Sequence, residues 1–114
     1  MSDLRLPAHL EVAGLIRQVQ NEGGFATVLA RGERDGGTIL VVLGCKGQDF
    51  RCFERMPQAN GLRGWAMSKQ ANPDDPAVFT DYLTRRQSQD PDLWIVELDI
   101  ADGERFIGLS ASLG

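Results

Sequence analysis

The sequence predicts an α+β fold: a two-layer, mostly antiparallel five-stranded sheet with two main helices, in the order α-β-β-β-β-α-β, closed by a short C-terminal helix or tail. Three observations predict it. Residues 7–24 and 76–89 carry apolar side chains at helical spacing. Four β-rich stretches between them are separated by short turn sequences, which suit an antiparallel meander. A fifth, "DLWIVELDI", follows the second helix. With 114 residues, the chain can bury a core as one domain over 1–114 without metal or disulfide staples.

The first helix is "PAHLEVAGLIRQVQNEGG", with Pro7 in its first turn and Gly23 and Gly24 as its stop. Val12, Leu15, Ile16 and Val19 form its apolar stripe. "FATVLAR" (25–31) is a strand, and "GERDGG" is the turn after it. "TILVVLGC" (38–45) is apolar on both faces, as a covered central strand is. "CKGQ" turns the chain into "DFRCFERM" (49–56), which alternates Arg51, Phe53 and Arg55 against Phe50, Cys52, Glu54 and Met56. "WAMSK" (65–69) is a short fourth strand. Asp75 and Pro76 open the second helix, Phe79, Tyr82 and Leu83 form its buried side, and Asp90-Pro91 ends it.

Both the second and fifth strands are apolar on two sides, while two helices suffice to cover one sheet face. The other face then needs the tail, a curled sheet or a second subunit, so a homodimer is an expected arrangement.

A net charge of −4 argues against sequence-independent nucleic-acid binding, which needs clustered Lys and Arg against phosphate. It argues equally against docking to an anionic membrane. The start "MSDLRLPAHL" has no apolar signal region and the longest aliphatic run is "ILVVL", so a cytoplasmic protein with no membrane partner is expected. Two cysteines and one histidine fall short of a zinc pattern, and Cys45 and Cys52 read as free thiols. No metal and no cofactor is expected.

"GERDGGT" has the glycine spacing of a P-loop but lacks its lysine and is followed by a strand, so a plain turn accounts for it. His9 lies at the margin of the first helix's apolar stripe, without an evident partner for catalysis. Glu97 and Asp99 share a strand face about 6–7 Å apart, a spacing that paired-carboxylate hydrolases use. The plainer reading has Asp99 or Asp102 capping the last helix and Glu97 facing solvent or pairing with an arginine. Arg51 and Arg55, on one strand face, are the cationic candidates for an anionic ligand. Arg51, Arg55, Glu97 and Asp99 are therefore the candidate ligand-binding residues, and no catalytic residue is assigned.

"GGFATVLARGERDGGTILV" together with "QDPDLWIVELD" resembles a family of short uncharacterised bacterial proteins, domain of unknown function family 1491. The matching segments are Gly23-Gly24-Phe25-Ala26, Gly32 with Asp35-Gly36-Gly37, and Asp90-Pro91-Asp92-Leu93-Trp94 with Glu97. Alanine commonly stands in that family where Gly36 does here, a departure that leaves the turn intact. The resemblance implies a single-domain cytoplasmic protein of no established activity, and implies no catalytic residue, cofactor or partner. Two functions follow from the residues. The first is a non-catalytic protein-interaction or regulatory module, with a protein partner or a second copy. The alternative is a small-ligand binder or weak hydrolase using the acids at the end of the last strand.

Overall fold

The computed structural model describes residues 6–57, 59, 61 and 63–108. Its elements are α1 (Ala8–Asn21), β1 (Phe25–Ala30), β2 (Ile39–Cys45), β3 (Gln48–Pro57), β4 (Arg63–Gln70), α2 (Pro76–Gln89), β5 (Trp94–Asp99) and a closing 3-10 helix, η1 (Gly103–Ile107). The architecture is α+β, with the predicted order of elements and a mostly antiparallel, mixed sheet. The chain beyond residue 108, read above as a tail, lies outside the described residues. Among the described residues, no helix is long and apolar enough to cross a membrane.

The strands lie in the order β1-β5-β2-β3-β4. Only β2, β3 and β4 form the expected meander. β5 inserts between β1 and β2, antiparallel to β1 and parallel to β2. Burial explains the placement. β2 and β5 are buried on both faces along most of their length, so they sit side by side in the middle. β1 alternates between exposed and half-buried residues and takes the edge.

The helices lie on opposite faces, which corrects the two-layer arrangement. Val12, Leu15 and Val19 of α1 pack with Ile39, Val41, Leu43, Phe53, Trp94, Val96, Leu98 and Ile107. Phe79 of α2 packs on the other side, with Leu40, Val42, Cys52, Leu93 and Ile95. A parallel step from β4 to β5 requires a crossover of helical length, and α2 supplies it across β3 and β2. The second apolar face, which suggested a subunit interface, is thus covered by α2. Tyr82 ties the helix down by donating to Ser68 Oγ at 3.1 Å, and Arg86 pairs with Glu54 at 2.8 Å.

Inserting β5 forces the 31–38 loop to bridge the mouth of that strand. The loop rests directly on the incoming chain: a Cβ on Gly32 or Gly37 would overlap the Asp92 carbonyl oxygen. Glu33 N–H donates to that same oxygen at 2.9 Å, and Trp94 Nε1–H donates to the Glu33 carbonyl at 2.7 Å. The loop also closes α1. Its Asp35 and Arg34 carbonyls accept from the Ala8 and His9 N–H groups, both at 2.9 Å, so helix donors left open by Pro7 are satisfied by backbone. "GERDGG" is a turn, as expected, but a bridge between non-adjacent strands instead of a hairpin.

Gly32→Ala should therefore lower the urea midpoint, at a cost of roughly 1–3 kcal/mol from overpacking. Gly14→Ala is the contrasting case, since nothing lies within 4 Å of its added Cβ. It should stabilise α1 by about 0.5–1 kcal/mol. Equal effects of the two substitutions would refute the bridge as a steric constraint.

Candidate functional site

The alternation of β5 decides where its carboxylates go. Trp94, Val96 and Leu98 face α1, while Leu93 and Ile95 face α2. Glu97 and Asp99 continue the α2 side, beyond the last apolar residue of that face. Their cross-strand neighbours are Thr27 and Phe25 of β1, and Val42 and Gly44 of β2. Phe25 closes this end of the sheet. With Cys45, Lys46, Asp99 and Ile100 it lines an open, largely apolar depression of about 280 Å³.

The four candidate residues do not converge. Arg51 and Arg55 share a strand face as expected, but it is the α1 face, opposite Glu97 and Asp99. Arg51 pairs with Glu104 of η1, and Arg55 with Glu11 of α1. The Arg55 guanidinium also stacks 4.6 Å over the Trp65 ring. The pairing of these arginines with acids was expected; the partners differ. Sequence spacing could not show them, because Glu11 and Glu104 arrive from elements that pack over β3.

The two acids have separate roles. Asp99 accepts from the Lys46 and Gly47 N–H groups at 2.7 and 3.1 Å. Those residues form the two-residue β2–β3 turn, both at positive φ. Asp99 is thus a cap, but of a hairpin and not of the final helix. Asp102 stands at the start of η1 and makes no side-chain capping bond. Glu97 is half-buried between Thr27 and Val42. Burial, with a smaller contribution from the Asp99 charge, holds its pKa above the usual carboxylate value.

His9 Nδ1 donates to the Arg34 carbonyl at 3.0 Å, which makes the histidine a second tie between α1 and the bridging loop. Cys45 and Cys52 are free. They do not face each other, since Cys45 stands opposite Gln48 and Cys52 opposite Val42. Burial pushes the Cys52 thiol up, which suits packing more than reactivity. Among the described residues, no three of His, Cys, Asp and Glu are grouped so as to hold a metal ion.

Fold and site together define a small mixed-sheet α+β domain with one plain β edge and a carboxylate-bearing sheet end. The chain belongs to DUF1491, a family described as a protein of unknown function, whose model matches residues 6–108. A crystal structure of a DUF1491 family protein from Caulobacter crescentus CB15 is similar at 30% identity, over 91% of this chain and 96% of that one, with a TM-score of 0.75. An NMR structure of a DUF1491 family protein from the same organism is similar at 29% identity, over 93% and 96%, again at 0.75. The solution structure of an A. tumefaciens protein matches at 25% identity, over 94% and 96%, at 0.72. No curated protein matches the chain. Two of the segments that carried the resemblance, Gly32 with Asp35-Gly36-Gly37 and Asp90–Trp94, meet at the bridge over β5. Alanine would fit at Gly36, where an added Cβ meets Glu33 Oε1 at an ordinary 3.5 Å.

Two substitutions separate the acids. Asp99→Ala should cost roughly 1–2 kcal/mol by releasing charge-assisted bonds to the turn, read as a lower denaturant midpoint at pH 7. Glu97→Gln should act in the opposite direction and depend on pH. A carboxyl whose folded pKa is raised contributes stability that is fully present below its unfolded pKa and is lost as pH rises through the folded value. Its ordinary value is 4.5. Glu97→Gln should thus gain stability over the parent at neutral pH and show no gain below about pH 4.5. Unfolding curves from pH 4 to 8 check this, and a pH-independent difference would contradict it.

Proposed function

We propose that the chain is a cytoplasmic, non-catalytic interaction module that binds an extended protein segment along β1 by strand addition. The observation that carries this reading is the character of the β1 edge. β1 ends the sheet, and its outer side pairs with no strand among the described residues. Phe25 is 74% exposed and Leu29 44%. Exposed sheet edges are ordinarily blunted by charge or proline, yet "FATVLA" has neither. Strand addition uses such an edge for main-chain hydrogen bonds and uses alternate side chains for specificity. The opposite edge is dressed differently, with the charged Lys69 in β4.

The alternative, a small-ligand site or weak hydrolase, has one supporting observation in the raised pKa of Glu97. A second catalytic carboxylate would have to come from Asp99, which is held by the Lys46–Gly47 turn. The arginines that would grip an anion lie on the other face. The edge is the better supported reading.

Tagged full-length protein, expressed in its native cell, tests it by capture of bound proteins, with the chain's own untagged copy counted among them. Thr27→Lys should cut recovery by at least about tenfold, a 1.4 kcal/mol effect. Met67→Lys, at an exposed position on the opposite edge, should leave recovery unchanged. Recovery indifferent to Thr27→Lys, or no recovery at all, overturns the reading.

A further inference from the structure

We infer that the strand that completes the β1 edge is β1 of a second copy, so that two sheets join about a two-fold axis through Thr27. The inference rests on the strand-addition reading and names its occupant. Two identical antiparallel strands related by a two-fold must pair residues whose numbers sum to a constant, because the symmetry exchanges them. Directly opposed residues in such a pair point to the same sheet face, so that constant must be even. The axis then passes through a residue and not between two.

Within β1 the longest pairings come from the axes through Thr27 and Val28, and the Ala26 axis is the next toward Phe25. The Ala26 axis sets Phe25 against Thr27. The Val28 axis sets Leu29 against Thr27 and brings Phe25 opposite Arg31. The Thr27 axis alone opposes Phe25 to Leu29 of the other copy, and symmetry supplies that pair twice. It also sets Ala26 against Val28 and Thr27 against itself. The two large apolar side chains left exposed on this strand thereby cover each other, and the central threonines form a favourable cross-strand pair. No charge is buried at the seam, since residues 25–30 carry none.

The remaining geometry agrees. Phe25 and Thr27 stand on the α2 side, opposite Asp99 and Glu97, while Ala26 and Val28 are half-buried beneath α1. The seam is therefore unobstructed where its large side chains meet. The regular register against β5 runs over four residues, Phe25 to Val28, and Leu29 is the extra residue at the irregularity before Ala30, so the pairing extends no further than 25–29. So short a seam falls below the roughly 1,200–2,000 Å² of standard stable complexes. The dimer should be reversible, with a dissociation constant on the order of 10–100 µM.

Sedimentation equilibrium from about 1 µM to about 1 mM brackets that range. It should show the mass doubling for the wild type and for Met67→Lys, and a monomer throughout for Thr27→Lys. Cysteine cross-linking in a Cys45→Ser background reads the register, with Cys52 left in place because it is 0% exposed. Directly opposed Cα atoms lie about 4.5–5.5 Å apart, within disulfide reach. Thr27→Cys should therefore link to itself. Phe25→Cys and Leu29→Cys should each fail alone and link when mixed. A wild type that stays monomeric to the highest concentration overturns the inference, as does a dimer that survives Thr27→Lys or links in another pattern. A monomer that still captures other proteins through β1 rejects the second copy while leaving strand addition standing. Capture that ignores β1 rejects both.

Discussion

The insertion of β5 between β1 and β2 is the constraint on which the rest of the structure depends. A late strand entering the sheet between two earlier ones must pass beneath the chain that joins them. The 31–38 loop is that chain, and its contact with Asp92 leaves no room for side chains at two positions. Gly32 and Gly37 meet the need by having none. The same loop turns its Arg34 and Asp35 carbonyls toward α1, so one eight-residue connection fixes the mouth of the central strand and the first turn of the first helix. Trp94 locks the two together. Its ring is buried under α1 while its Nε1–H reaches the Glu33 carbonyl, which satisfies the one polar atom of a large apolar side chain.

From that insertion the layering follows. With β5 parallel to β2, the chain must return from β4 over a sheet face, and α2 occupies the face that α1 leaves open. Each helix then serves one half of a doubly buried pair of central strands. This accounts for the apolar character of both sides of β2 and β5 without a second subunit. It also moves the question of self-association from a sheet face, where α2 already packs, to the sheet edge at β1, whose residues carry neither charge nor proline.

Much of this was legible in the sequence, and the limits are physical. Helix and strand identities follow from local periodicity, and the bounds of α2 match residue for residue because Pro76 and Asp90-Pro91 punctuate both ends. Strand order is a different kind of information. The short links between strands favour neighbours, and only the double-sided burial of β2 and β5 hints that these two pair. The hint was read as a need for extra cover because a meander leaves β5 at an edge. The candidate site failed for the same reason. Same-face alternation correctly grouped Arg51 with Arg55 and Glu97 with Asp99, but period two says nothing about whether two pairs share a face. Their partners, Glu11, Glu104 and the Lys46–Gly47 amides, are 44 to 53 residues away in the chain.

The exposed edge carries the most functional weight because it departs from what stability alone requires. Phe25 lies at the end of β1 where a polar residue would serve the fold equally well, since its side chain contributes little burial at 74% exposure. A charge anywhere in residues 25–29 would protect the edge from unwanted pairing at small cost to a half-exposed strand. An edge with neither charge nor proline must either be covered in use or be a hazard. Its pattern favours use, since the exposed apolar residues sit two positions on either side of Thr27 and complement each other under the one symmetry that a pair of identical strands allows.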